Sequence, residues 1–510
     1  MTLVQQVSFC RVYQCYRQLS TQSYSKKSAK HRNKKYQAAS NDNIIKSRTL
    51  WEPFREVLSD HALGAENHVV EETPKDDGAG RAARFWGVSP AEAHERAADA
   101  VTPLWRLAYP RQLEVKQARV TALLRQLAGR LPATEPAAGG RRRSALPCRL
   151  DTIVPSPLVD GYRNKEEYKI GEGADGHPRT VGFIFSSPSR GPPLCLPGDR
   201  LRNCRPEHAR TALAFQQFVR ESPLAACSRL DDGGHWRSLL VRSSRAGHLL
   251  AAVTLHPQRL EPAAIEAERR RLAEFFRAGP GAHCRLDALF FQECGHARCS
   301  ADQAPYQRLF GAAALEERLG HVRLLVSPGS FLQVNVPAAE QLYRVVEESA
   351  RLTPASVLLD LCCGTGPVSL LLARRCRQCI GIEATPSSVH DAKENARING
   401  IHNVEFISGR VEQELPHVLA DLELSSDLVA VVNPGRDGVA PRVIDQLVAA
   451  PRLRRLVYIA CQPDHRRTAA NLAALCRPPA AGRPLRLARA TPVDLFPHTD
   501  HLELVLTFER

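Results

Sequence analysis

No stretch of the 510-residue chain approaches the roughly 18 consecutive apolar residues that a membrane-spanning helix needs, which argues against an integral membrane protein. No acidic residue precedes Asp42, an absence confined to one end of a chain that otherwise carries both signs. No long apolar signal core with a small-residue cleavage site is present, so the 15 cysteines do not read as the disulfide framework of a secreted protein, and a reducing compartment with free thiols is expected. Cys294 and Cys299 stand five apart and Cys362 and Cys363 are adjacent, neither of which is a zinc-ligand spacing, and no metal is assigned. No internal repeat is visible, which excludes a solenoid.

What is present is the composition of an ordinary globular protein, 43% apolar and 24% charged, in a chain long enough for several domains. The net charge of +15 is uneven, because Arg11, Arg17, Lys26, Lys27, Lys30, Arg32, Lys34 and Lys35 give residues 1–41 a charge of +8. With Val4, Val7, Phe9 and Val12 spaced for an amphipathic turn or two, residues 1–45 read as a mitochondrial targeting leader; the alternative is a disordered basic tail that binds nucleic acid. The remaining positive charge leans toward a polyanionic partner.

Residues 46–147 read as a helical N-terminal region and linker, with apolar side chains at helical spacing from Leu113 to Arg125 and turn-forming residues from Pro132 to Pro147. Residues 148–325 read as a small central α+β domain. Strands are predicted at Arg179–Phe185, Trp236–Val241, His248–Leu255, Leu286–Phe291 and Val322–Val326, a hairpin turn at Arg245-Ala246-Gly247, a helix at Pro262–Arg277 and an irregular insertion at Pro188–Pro206. From 326 to 510 strands and helices alternate, with strands at Val357–Leu361, Cys379–Glu383, Val404–Ile407, Leu428–Val432 and Leu456–Ala460. That rhythm predicts a doubly wound, Rossmann-like α/β domain whose ligands sit at the carboxyl ends of its strands.

One such strand ends in Asp360-Leu361-Cys362-Cys363-Gly364-Thr365-Gly366-Pro367, whose glycines permit a tight turn and close approach of a ligand to backbone. Glu383 ends the next strand, where an acid can bind ribose hydroxyls. A dinucleotide and S-adenosylmethionine compete for this loop. Ser369 occupies the place of the third glycine in the dinucleotide fingerprint, and the short loop lacks a full pyrophosphate cradle, so adenosylmethionine is preferred.

The chain resembles the RNA (uracil-5-)-methyltransferase family from Gly161-Tyr162-Arg163-Asn164-Lys165 to its end. The landmarks are Ser330-Phe331-Leu332-Gln333-Val334-Asn335, the Gly364 loop, Glu383, Asn433-Pro434-Gly435-Arg436, Cys461-Gln462-Pro463 and His498-Thr499-Asp500-His501-Leu502-Glu503. The resemblance implies a methyltransferase domain preceded by an RNA-binding domain, with adenosylmethionine held by Gln333, Cys362, Gly364, Pro367, Glu383 and Asn433, a nucleophilic Cys461 and a basic Glu503. It also implies a tRNA substrate, with a T-loop uridine leading and ribosomal RNA as runner-up, in the mitochondrial matrix; no membrane or obligate protein partner is inferred. The chain departs from the family pattern at Asn433, where an aspartate is usual, and at Pro367, where an asparagine is common.

These residue types suit the chemistry. C5 of uracil is a poor nucleophile, and attack of a Cys461 thiolate on C6 makes it an enolate carbon able to take a methyl group. A base must then remove the C5 proton so that the cysteine leaves, and Glu503 is the candidate. Enzymes that methylate cytosine C5 in RNA commonly carry a Pro-Cys pair where this chain has Pro434-Gly435, which favours uracil. Arg163, Lys165 and the arginines of 237–245 are candidate phosphate contacts, while Arg436 either orients a phosphate or pairs with an acid. The rival readings are a catalytically silent RNA-binding protein of the same fold and a nicotinamide oxidoreductase.

Overall fold

The computed structural model describes residues 89–131, 146–185, 193–227, 233–297, 299–422, 427–478 and 483–510. The leader, the start of the N-terminal region and most of the linker lie outside them. Among the described residues no helix is long and apolar enough to cross a membrane.

The described chain begins with α1 (Pro90–Val101), opened by a capping box in which Ser89 and Glu92 satisfy each other's backbone N–H groups. Helix α2 (Tyr109–Ala128) follows, and its Val120, Leu124 and Leu127 are buried in the core of the C-terminal α/β domain. Helix α2 therefore packs on that domain, although the linker and a whole domain separate them in sequence.

The first strand, β1 (Arg149–Leu150), is followed by β2 (Lys165–Gly171), β3 (Thr180–Phe185), β4 (Leu194–Leu196), α3 (Pro206–Glu221), β5 (Trp236–Ser243), β6 (Leu249–Leu255), α4 (Pro262–Arg277), β7 (Ala288–Glu293) and β8 (Gln307–Gly311). A seven-stranded sheet forms in the order β4-β3-β2-β5-β6-β7-β8, antiparallel except for the parallel pair β6–β7. The hairpin expected at Arg245-Ala246-Gly247 joins β5 to β6, with Gly247 at φ +88°. The expected irregular insertion is partly wrong: Leu194, Cys195 and Leu196 are buried and pair with β3. The expectation of free thiols fails at Cys294 and Cys299, which form a disulfide across a loop short enough for the chain to turn back on itself (Cα–Cα 6.2 Å). The cysteine spacings also passed over Cys376-Arg377-Gln378-Cys379, whose sulfurs lie 3.3 Å apart in the core.

A hairpin of β9 (Leu315–Leu319) and β10 (Val322–Val326) leads into the α/β domain. Its elements run α5 (Val336–Ala350), β11 (Ser356–Leu361), α6 (Pro367–Leu372), β12 (Gln378–Glu383), α7 (Pro386–Ile398), β13 (Val404–Ser408), α8 (Val411–Asp421), β14 (Asp427–Val432), α9 (Pro441–Ala449), β15 (Leu453–Ala460), α10 (Arg466–Leu475), β16 (Arg486–Val493) and β17 (Glu503–Glu509). The eight-stranded sheet has the order β1-β16-β17-β15-β14-β11-β12-β13. From β13 to β15 it is parallel, β17 runs antiparallel between β15 and β16, and β1 adds to the far edge parallel to β16. β1, in the central segment by sequence, thus belongs in space to the C-terminal sheet. Parallel strands covered on both faces are apolar throughout. On β11, Val357, Leu359 and Leu361 enter one core and Leu358 the other.

Candidate active site

The order of the sheet reverses between β11 and β14, and in such sheets the crevice beyond the strand ends at this switch point receives the ligand. The chain turns there through Cys362 at φ +64° and Gly364 at φ +57°. A side chain at Gly364 would meet no atom within 4 Å, whereas one at Gly366 (φ +81°) would lie 2.7 Å from the Phe406 ring. Gly364 therefore keeps its backbone open to a ligand, and Gly366 is needed for packing. Pro367 is the first residue of α6, where a missing N–H breaks no helical hydrogen bond, so its departure from the family pattern costs the helix nothing.

Hydrogen bonds gather the expected cofactor residues around this turn. Gly364 N–H donates to Glu383 Oε2 (3.1 Å), and Glu383 Oε1 accepts from Thr385 N–H (2.9 Å). Thr365 Oγ1 donates to the Phe331 carbonyl (3.4 Å), which brings up the segment bearing Gln333. Asn164 Nδ2 holds the Gln333 carbonyl from the central domain (2.9 Å). Asn433 N–H donates to the Leu361 carbonyl (3.1 Å), beside Cys362.

Asp360, fully buried at the end of β11, accepts from Ser369 N–H (3.1 Å) and Oγ (2.8 Å) through one oxygen, while its other oxygen has no hydrogen-bond partner. Burial pushes its carboxyl up to about 6 against the pull of the Ser369 bonds. A glycine with an open side, an acid at the next strand end and a buried acid with spare acceptor capacity fit adenosylmethionine, a cation with a ribose and an amino group. Gln333, Asp360, Glu383 and Asn433 would hold its polar groups. Among the described residues no group of three or more metal-ligating side chains gathers.

Two strands away, β15 ends at Ala460 opposite Leu504 of β17. Cys461 directly follows Ala460 and Glu503 directly precedes Leu504, so the two stand together at the end of this strand pair, near enough for Glu503 to act on the Cys461 thiol. Glu503 is itself held on its other side, paired with Val493 of β16. It is 2% exposed, and burial raises its carboxyl to about 8, opposed by the Arg436 guanidinium. Burial, with Glu503 adding, pushes the half-buried Cys461 thiol up to about 12, again opposed by Arg436. Arg436 is thus the cation that favours ionisation of both groups: of its two expected roles the structure gives it an acid, Glu503, and adds the Cys461 thiol.

Other expectations change. The arginines expected to contact phosphate are engaged internally: Arg242, 3% exposed, donates to the Ser330 carbonyl, Arg237 Nη1 donates to the carbonyls of Cys294 (2.9 Å) and His296 (2.8 Å), and Arg245 pairs with Glu340 (2.7 Å). Burial, and the neighbouring charge of Arg242, lower Lys165 to about 7. His498 is buried in the loop before β17, at φ +68°.

Fold and site together define a doubly wound methyltransferase that uses S-adenosylmethionine. A sequence profile described as tRNA (uracil-5-)-methyltransferase matches residues 320–510. The human tRNA (uracil-5-)-methyltransferase homolog B is 41% identical over 424 residues, covering 82% of this chain and 84% of the relative. The human homolog A is 37% identical over 456 residues, covering 86% and 71%. The crystal structure of Pyrococcus abyssi tRNA (uracil-54, C5)-methyltransferase in complex with S-adenosyl-L-homocysteine superposes with a TM-score of 0.56 at 21% identity, covering 79% of this chain and 84% of that one, which shows a shared fold. The chain belongs to the tRNA (uracil-5-)-methyltransferase family.

Proposed function

We propose that the protein methylates C5 of a uridine in the T-loop of mitochondrial tRNA through a covalent adduct of Cys461. The observation that carries this reading is the pairing of β15 and β17, which brings the Cys461 thiol and the buried Glu503 carboxyl together at the strand ends, two strands from β11 and its Gly364 turn. The names and extent of the relatives support tRNA as substrate. The basic, acid-free residues 1–41 support a mitochondrial address.

When bound, adenosylmethionine supplies the methyl group. Cys461 loses its proton to solvent and the thiolate sulfur bonds to C6, the electrons of the C5–C6 double bond moving into an enolate that makes C5 nucleophilic. Once C5 has been methylated it carries a methyl group and a hydrogen. Glu503 in its ionised form removes that hydrogen, the C5–C6 double bond re-forms and Cys461 leaves as thiolate. Glu503 raises the Cys461 thiol, so the two are easier to ionise in turn than together. The sequence needs no more than that, because the sulfur's charge is consumed in the C–S bond before the carboxylate is required. The flipped base must reach this edge of the sheet.

The test is methylation of unmodified mitochondrial tRNA transcripts by the protein lacking residues 1–45, with nucleoside mapping. One 5-methyluridine in the T-loop is expected, lost when that uridine is replaced by cytidine. Methylation of ribosomal RNA alone would overturn the tRNA reading, and none on either RNA would favour a silent RNA-binding protein.

A further inference from the structure

Helix α2 lies outside the matched family profile and holds none of the expected site residues, yet one face of it reaches the two loops that carry the chemistry. Gln112, Lys116 and Arg119 stand at i, i+4 and i+7, a single stripe along the helix. The segment from Asp494 to Leu502, which joins β16 to β17 and delivers Glu503, lies against that stripe. Gln112 Oε1 accepts from His498 N–H (2.7 Å), and its amide nitrogen is 3.1 Å from His498 Nδ1. Lys116 Nζ donates to Asp494 Oδ1 (2.6 Å) and to the Phe496 carbonyl (2.9 Å), with the ion pair excluded from solvent. Arg119 Nη1 donates to the Asp500 carbonyl (2.7 Å), while its Nη2 pairs with Asp464 (3.1 Å), three residues beyond Cys461.

His498 adopts a left-handed backbone that a non-glycine residue holds only when its surroundings over-determine it. The surroundings do so: besides Gln112, Asp160 Oδ1 lies 2.8 Å from His498 Nε2, and Leu104 N–H donates to its carbonyl (2.9 Å).

We propose that α2 is a brace that fixes the base-bearing loop against the nucleophile-bearing loop, with Arg119 as the positioning residue that bridges them. The proposal rests on Cys461 as nucleophile and Glu503 as base. Arg119 and its acidic partners are each about a quarter exposed, so the pairs add little to stability and the consequence of losing them is geometric. Misplacing a reacting group by about 1 Å costs on the order of a hundredfold in rate.

The test uses Arg119→Met, Arg119→Lys and Asp464→Asn, with kcat, KM for tRNA, melting temperature and gel analysis of RNA-linked protein on natural uridine. Arg119→Met is expected to lower kcat roughly 10–100-fold with KM within about twofold and an unchanged melting temperature. It should also accumulate covalent adduct, because a misplaced base slows release more than attack. Asp464→Asn should reproduce part of the kcat loss and Arg119→Lys should recover part of it. Wild-type kcat in Arg119→Met, a kcat loss matched by lost folded protein, or a raised KM for RNA with kcat intact would each overturn the brace. Full turnover by Cys461→Ala would instead sink the assignment of the nucleophile, a separate outcome.

Discussion

Replacing Glu503 by Gln removes the proposed base while keeping its shape, and the structure makes the substitution informative in two directions. Glu503 is buried, and its carboxyl is raised from an ordinary 4.5 to about 8 because burial disfavours the charged form. A group whose folded value lies above its unfolded value stabilises fully below the unfolded value and loses that contribution as pH rises through the folded one. Between pH 4.5 and about 8 the unfolded chain sheds a proton that the folded protein keeps, so the native state falls in stability across that window. At pH 7 the accumulated loss is about 3 kcal/mol, and it continues to grow up to pH 8. Gln carries no such charge, so Glu503→Gln should melt higher than wild type at pH 7, by on the order of 3–4 °C, with the difference vanishing near pH 4.5. The same protein should turn over at least about a hundredfold more slowly and accumulate a methylated Cys461–RNA adduct on ordinary uridine, since only the proton-removal step is lost. Paired thermal melts from pH 4.5 to 8.5, with denaturing gels of the reaction, check both. A variant less stable than wild type at pH 7 would mean that Glu503 is ionised and paired, and full turnover would mean that another group is the base.

Other outcomes follow from the same geometry. The kcat of the wild type should rise with pH through about 8, because the base acts after the adduct has formed and only when ionised, and the pH profile of kcat reads it directly. Arg436→Gln should move that limb to higher pH and lower the rate at pH 7 by more than tenfold, since Arg436 opposes burial at both Cys461 and Glu503. Gly364→Ala places a side chain in a left-handed backbone at an open position, so adenosylmethionine affinity measured calorimetrically should fall at least about tenfold while stability falls by only about 1 kcal/mol.

Much of the α/β domain was legible because buried parallel strands are written as short apolar runs between helices of regular spacing. Val357–Leu361 and Leu428–Val432 each fall within a residue of β11 and β14. Val322–Val326 and Pro262–Arg277 match their elements at both ends. Several central elements escaped, and in β2 and α3 the reason is that charge sits where core residues are expected. In β2, Glu166 is buried between half-exposed Lys165 and Glu167, so the period-2 pattern carries acids on both faces. In α3 the buried face includes His208 and Thr211, and Glu166 and Ser243 satisfy both nitrogens of His208. The proline at its first position was the available signal. At the site, each expected residue was readable from its motif. What no motif carries is contact over long separation: Lys116 meets Asp494 across 378 residues, and Arg436 reaches Cys461 and Glu503 only because β14, β15 and β17 are neighbours.

In the proposed mechanism Cys461 bonds to C6 of a tRNA uracil and Glu503 ends the adduct by removing the C5 proton. Incubation with adenosylmethionine and mitochondrial tRNA containing 5-fluorouridine tests it most directly, because fluorine cannot be removed as a proton. A stable protein–RNA adduct is expected that carries the transferred methyl group, maps to Cys461 by mass spectrometry and is absent from Cys461→Ala. Methyl transfer to ordinary uridine in tRNA with no adduct on the fluorinated RNA, or an adduct on another residue, would contradict it.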